Sequence, residues 1–158
     1  MPHIIARTVL IVNDPTNSTH SFPDKYIHAG RMFHMKTAAT IALFCAGGGL
    51  ARYYLSGWTY SLLGRAFPYG TLAVNVIGAY LIGLIVELGL RSTILPDTLR
   101  IGLTVGFLGG LTTFSTFSYE TFKLLEEGQF IFAFANVAAS VLVCLLFTWL
   151  GIITVRMF

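Results

Sequence analysis

Four long apolar segments leave this chain few ways to fold. They are residues 37–56, 70–90, 98–122 and 130–155, joined by short polar connections. A helix of about 20 apolar residues is long enough to cross the roughly 30 Å hydrocarbon core of a bilayer. Charged residues make up only 11% of the sequence, against roughly 25% in soluble domains. We therefore expect an all-α integral membrane domain with four transmembrane helices.

The third apolar segment contains a stretch that does not suit a lipid-facing helix. Residues 109–117, Gly-Gly-Leu-Thr-Thr-Phe-Ser-Thr-Phe, combine two glycines, four hydroxyl side chains and two phenylalanines. Glycine loosens a helix, and irregular backbone at membrane depth is tolerated only inside protein or beside a pathway. We predict that the third helix is broken in mid-membrane, around a site for an ion or a small solute.

The N-terminal region differs in composition from the rest. Residues 1–34 are mixed and polar, so we expect a disordered extension there, with Met35 as an alternative start and residues 35–158 as the four-helix domain. A secretory signal peptide at residues 35–46 is disfavoured, because Phe44 is bulky at a position where cleavage requires a small residue.

The sequence carries no recognisable catalytic or metal-ligating set. All four histidines precede the first apolar segment and match no zinc pattern. A nucleophile elbow, a phosphate loop and clustered carboxylates are absent. The net charge of +3 comes without a long basic run, so we predict no nucleic acid partner and at most a weak attraction to anionic lipid. We expect no enzymatic activity.

Basic residues beyond the extension divide almost evenly between the two sides of the predicted bundle. One side has four of them and the other has three, namely Lys36, Arg91, Arg100 and Arg156 against Arg52, Arg65 and Lys123. Orientation in a membrane follows the excess of Lys and Arg on one side. Because the excess is small, we predict that the chain inserts in both orientations.

Small or polar residues recur every four positions on three of the predicted helices. This spacing drifts by only about 40° per step around a helix, so each set stays on one face. The sets are Thr71, Asn75, Ala79, Gly83 and Glu87; Gly102, Gly106 and Gly110; and Asn136, Ser140, Cys144 and Thr148. Helix packing explains most of them. We favour a pathway role for Asn75, because an asparagine at this depth needs partners in the bundle or in a hydrated path.

Two charged side chains lie near predicted span ends. Glu87 can simply reach the interface. Arg52 either extends to the interface, braces a dimer or draws anions toward a vestibule.

Phe114 and Phe117 are three residues apart and therefore share a helix face after the predicted break. The edge of an aromatic ring is electropositive. Ring edges and hydroxyl donors can face an anion without a fixed positive charge. The carbonyls freed by a broken helix have the opposite preference and can hold a hard cation.

Two of these stretches resemble signature motifs of a known family. Residues 106–117 and 70–78 are similar to the third-helix and second-helix motifs of the CrcB/Fluc fluoride channels. Residues 52–53 resemble the end of the first-helix motif, and the likeness covers nearly the whole chain beyond the extension. One departure is Phe44-Cys45, where the family usually has a glycine pair; the run at residues 47–49 can compensate.

The resemblance implies a fluoride-specific channel in a cell membrane of bacterial type, which exports fluoride passively and lowers its cytoplasmic concentration. It implies two antiparallel protomers, either as a homodimer or with a second homologous chain. A structural sodium ion, which is not transported, would lie at the dimer centre.

The resemblance also implies residue roles. The pore and its polar track would be formed by Asn75, Phe114, Phe117, Ser140, Ser115, Thr116, Ser118 and Glu120. Backbone carbonyls of Gly109 and Thr112 would hold the sodium ion, and Arg52 would have a structural or vestibule role.

Two other classes of protein compete with this interpretation. A small four-helix multidrug exporter uses a membrane-buried carboxylate in its first helix, and residues 37–56 contain no Asp or Glu. A membrane scaffold without transport would explain the glycine faces, but it would not explain Asn75 or the hydroxyl-phenylalanine motif.

Overall fold

A computed structural model describes the backbone of residues 24–92 and 95–158, and the side chains of residues 35–92 and 95–158. This part of the chain contains helices and turns and no strand, which confirms the all-α prediction. The elements in order are α1 (Asp24–Leu63), α2 (Tyr69–Arg91), α3 (Asp97–Ile101), a π-helix (Gly102–Leu108), α4 (Gly109–Leu111), α5 (Phe114–Glu126) and α6 (Phe130–Arg156).

The chain divides into two compact units, residues 1–35 and residues 36–158. The second unit carries every feature described below. Of the predicted disordered extension, residues 1–23 lie outside the described residues, and α1 begins at Asp24.

Three segments of the described chain are long and apolar enough to cross a membrane, namely Tyr69–Arg91, Asp97–Glu126 and Phe130–Arg156. They match the predicted second, third and fourth spans within a few residues. The predicted first span lies inside α1. The mean hydropathy there is lowered by three glycines, Arg52 and two tyrosines. Helix α1 is therefore not among the segments that are apolar enough to cross a membrane. A fourth crossing stays a prediction.

Glycines on the third span allow its backbone to approach α1. A Cβ atom added at Gly106 would lie 2.8 Å from the Ile41 carbonyl oxygen, and one at Gly110 would lie 2.5 Å from the Cys45 carbonyl oxygen. From the other side, a Cβ at Gly48 would collide with the Phe107 carbonyl. Gly48 thus provides the small surface of α1 that the Phe44-Cys45 pair does not.

Helices α2 and α6 pack against each other in the same manner. A Cβ atom at Gly83 would collide with the Thr148 carbonyl, and one at Gly151 with the Tyr80 carbonyl. Backbone contact of this kind is the usual role of small residues between membrane helices. Beside this pair, Val74 of α2 packs with Leu108 and Leu111 of the third span to form the buried core.

The third span is irregular at two places. Residues Gly102–Leu108 form a π-helix, which the sequence did not predict. Further along, Thr112 (ψ 155°) and Thr113 (φ −150°, ψ 116°) are extended, so the helix is broken as predicted. The glycines are not the break, because Gly109 and Gly110 are both helical and the chain leaves the helix only after Leu111.

Candidate functional site

The side chain of Asn75 holds the break in the third span. Its Oδ1 accepts a hydrogen bond from the Thr113 backbone N–H at 2.8 Å, and its Nδ2 donates to the Thr113 carbonyl at 3.2 Å. Thr113 is only 8% exposed, and an unpaired buried backbone group is costly. A side chain from α2 therefore replaces the helical hydrogen bonds that Thr113 loses.

Thr113 also begins the next helix. Its Oγ1 accepts from the Thr116 backbone N–H at 3.2 Å, as an N-cap side chain does, and donates to the Thr116 hydroxyl at 3.0 Å. The Phe-Ser-Thr-Phe sequence that follows is therefore a helix start with ordered hydroxyls.

The same bonds remove the usual helical donors from two carbonyls. In a continuous helix the Thr113 N–H would bond to Gly109 and the Thr116 N–H to Thr112. Here these N–H groups donate to Asn75 and to the Thr113 hydroxyl. The carbonyls of Gly109 and Thr112 are thereby available to another partner.

Much of the predicted site borders one open cavity of about 500 Å³. The cavity lies where α2, the third span and α6 meet. Among its lining residues are six of the predicted site residues, namely Asn75, Gly109, Thr112, Phe114, Phe117 and Ser140. None of the described residues that line it carries a charge.

The two phenylalanine rings stand together at this cavity. Their centroids are 5.4 Å apart with an interplanar angle of 49°. Phe114 is 79% exposed, whereas Phe117 is partly buried. The Ser140 hydroxyl oxygen is buried and has no hydrogen-bond partner among the described residues. The cavity is therefore lined by two aromatic rings and by a serine whose buried hydroxyl is unpaired among the described residues.

Other predicted site residues lie away from this cavity. Ser118 donates to the Phe114 carbonyl at 2.9 Å, and Ser115 contacts the Thr113 hydroxyl at 3.3 Å. Arg52 is partly buried in α1 and has no hydrogen bond or ion pair within the described part of the chain. The geometry assigns none of these three to the cavity.

Glu120 borders a second cavity, of about 430 Å³, at the far end of α5. Its Oε1 accepts from the Tyr60 hydroxyl at 2.9 Å, while its Oε2 is buried without a partner in the described residues. Burial raises the pKa of the Tyr60 phenol above its ordinary value, and the neighbouring carboxylate raises it further. The phenol therefore stays a hydrogen-bond donor at neutral pH.

The sequence did not predict the roles of two other contributors. Thr113 was predicted only as one of several hydroxyls, although a threonine directly before an apolar residue that starts a helix is a recognisable N-cap signal. Asn136 was placed on a polar stripe. It is 1% exposed and donates to the Thr121 hydroxyl at 2.8 Å, which in turn donates to the Phe117 carbonyl at 2.7 Å. Asn136 thus supports the backbone under a cavity ring.

Three membrane-length segments, one of them broken, with polar groups gathered at the break define an integral membrane protein of the multi-pass helical class. The family described as "CrcB-like protein, Camphor Resistance (CrcB)" matches residues 39–152. The chain belongs to this family.

Relatives of known name are very similar. Proteins named "Fluoride-specific ion channel FluC" are 86% identical in Trichlorobacter lovleyi and 70% identical in Geobacter metallireducens; each match covers 77% of this chain and 98% of the relative. The protein of that name from Pelobacter propionicus is 77% identical, over 77% of this chain and 95% of the relative. The predicted family and the membrane location are confirmed. Because these relatives are named as channels, the prediction of a non-enzyme is also confirmed.

Proposed function

We propose that the protein is a passive, fluoride-specific channel. The observation that carries this proposal is the uncharged cavity at which Asn75, Ser140 and the rings of Phe114 and Phe117 meet. The names of the relatives agree with it. The motif at residues 109–117 and its partners on α2 and α6 are the parts that an anion would contact.

The chemistry of the cavity suits a small, strongly hydrated anion. A pore must replace the water that the ion loses, yet bind weakly enough to release it. One N–H of the Asn75 amide bonds Thr113, and the other remains available because the amide has two. The Ser140 hydroxyl and the electropositive ring edges are further donors. These neutral groups attract fluoride without the retention that a buried lysine or arginine would cause.

We further propose that two antiparallel protomers make the complete channel, either as a homodimer or with a homologous second chain. Two observations favour a partner. Phe114 is 79% exposed although it borders the site, and the cavity is open and not enclosed by the described residues. The near balance of basic residues agrees with a partner of opposite orientation.

The Gly109 and Thr112 carbonyls fit the predicted structural sodium ion. Both border the cavity, and both have lost their helical donors to Asn75 and Thr113. Carbonyl oxygens are suitable ligands for a hard cation. A sodium ion held by both protomers would supply a fixed positive charge at the centre of the dimer and join the two broken helices.

The physiological direction follows from acid–base chemistry. Hydrogen fluoride is neutral and crosses a plasma membrane from acidic surroundings, then releases fluoride inside. Among the described residues, none that lines the cavity is a carboxylate that could couple the flow to protons. Passive flow down the electrochemical gradient would therefore lower cytoplasmic fluoride.

Reconstituted liposomes test the function. Liposomes loaded with potassium fluoride should release fluoride when a potassium ionophore is added, as a fluoride electrode reports. Liposomes loaded with chloride should release none above the protein-free control. A lack of fluoride release, or chloride release at the same rate, would refute the proposal.

Liposomes prepared in sodium-free buffer test the proposed structural sodium ion. We expect fluoride release to be lost without sodium and to recover when sodium is restored.

A further inference from the structure

Two arginines meet at the common end of α2 and α6. A single carboxylate oxygen, Oε1 of Glu87, accepts hydrogen bonds from Arg91 Nε at 2.7 Å and from Arg156 Nε at 2.9 Å. The Glu87 side chain is 10% exposed, while the arginines are 52% and 51% exposed. One nearly buried carboxylate therefore holds two half-exposed guanidinium groups side by side.

The charges of this cluster do not balance. Two guanidinium groups against one carboxylate leave one positive charge. Neither arginine has another ion pair within the described part of the chain. Each guanidinium has five N–H donors, of which only the Nε–H is used here. The four amino N–H donors of each planar guanidinium remain for a bidentate acceptor such as a phosphate.

The neighbouring charged groups do not remove this excess. Arg100 is paired with Asp97 at 2.9 Å, and it lies beside α2 at the Gly89 carbonyl. At the opposite end of the bundle, Lys123 pairs one-to-one with Glu126 at 2.8 Å. Among these side-chain pairs, the Arg91–Glu87–Arg156 cluster is the one with a surplus charge.

We propose that this cluster binds the phosphate of an anionic phospholipid headgroup. Arg91 and Arg156 are the last residues of two membrane-spanning helices, which places them at headgroup level. Basic side chains there are attracted to anionic lipid by about 1 kcal/mol each. The bound phosphate would join α2 to α6 from outside, as Glu87 joins them from inside. The proposal requires the cluster and the membrane location of the protein, and it does not depend on which ion the channel conducts.

The test counts lipids that stay bound. The protein is placed in nanodiscs of phosphatidylcholine with a minor fraction of phosphatidylglycerol, and retained lipids are identified by native mass spectrometry. Wild type should retain phosphatidylglycerol beyond its share of the bilayer. The double variant Arg91→Gln/Arg156→Gln removes both charges and should lower this enrichment by about thirtyfold. The control Lys123→Gln should leave it unchanged.

A second variant separates lipid binding from a purely structural role. Glu87→Gln breaks the same inter-helix ion pairs but raises the local charge. If the cluster binds anionic lipid, Glu87→Gln keeps or increases the enrichment while the double arginine variant loses it. If both variants lower it equally, the cluster is a structural clamp and the proposal is wrong. Added inorganic phosphate should not displace the lipid; displacement would assign the site to free phosphate and overturn the lipid assignment.

Discussion

The third span and α6 differ in the regularity of their backbones: the third span is broken, and α6 is continuous. Helix α6 is one uninterrupted helix of 27 residues, and its most apolar 18 residues have a mean hydropathy of 2.5. The corresponding stretch of the third span has a mean hydropathy of 1.2, and this span changes from α-helix to π-helix to extended chain. The regular helix satisfies its own backbone, and the broken one cannot. The comparison teaches that the site forms where the backbone needs an outside partner, which the side chain of Asn75 of α2 provides.

The largest expected effect comes from removing the partner of the break. Asn75→Ala leaves the buried N–H and C=O of Thr113 unpaired, which costs about 2–6 kcal/mol in total. We expect fluoride release to fall below detection and the free energy of unfolding in detergent to fall with it. Asn75→Asp keeps the acceptor for the N–H and should give an intermediate loss. Wild-type stability in the alanine variant would show that the break needs no support from α2.

The regular pair α2–α6 should be sensitive to bulk instead of polarity. Gly83→Ala places a Cβ against the Thr148 carbonyl, and overpacking of this kind costs about 1–3 kcal/mol. Unfolding in detergent should show this loss. Gly57→Ala is the matched control, because nothing lies within 4 Å of that Cβ position. Equal stability of the two variants would contradict the proposed close contact.

A ring at the cavity should affect flux without affecting the fold. Phe114→Ile removes an electropositive edge, and we expect fluoride release to slow about tenfold, which corresponds to roughly 1.4 kcal/mol. Phe134→Ile is the matched control, since Phe134 is 76% exposed on α6 and does not border the cavity. Unchanged release from the Phe114 variant would remove the ring from the proposed site.

The smallest effect should come from the indirect support under Phe117. Hydrogen bonds between membrane helices contribute about 0.6 kcal/mol on average, so Asn136→Ala should lower the free energy of unfolding by about that amount. Thr121→Val should cost a similar amount. Because the two side chains bond each other, the double variant should cost less than the sum of the single losses. Strict additivity would contradict the relay.

The sequence predicted most of the helical layout. Apolar length located three spans, whose bounds agree with the structure within a few residues. It also predicted a break within residues 109–117, because hydroxyls and glycines clustered at membrane depth disfavour a continuous lipid-facing helix.

The details of the break depend on contacts between helices. Gly110 looked like the flexible point, but it serves as the contact surface for Cys45, and the chain bends at Thr112 and Thr113. A shift from α-helical to π-helical bonding over Gly102–Leu108 has no local sequence signal. The partner of Asn75 was open from sequence alone, because a side chain on one helix does not reveal which backbone group of another it will face.

The side chain of Asn75 is chemically a peptide group, with one carbonyl and one amide nitrogen. By bonding both backbone groups of Thr113, it pairs with that residue as a neighbouring β-strand would. One pair of β-sheet-like hydrogen bonds thus exists inside a helical bundle. These two hydrogen bonds tie the bend at Thr113 to α2, so the position of α2 sets the angle between the two halves of the third span. Any displacement of α2 would be carried directly to Phe114, the first residue beyond that bend.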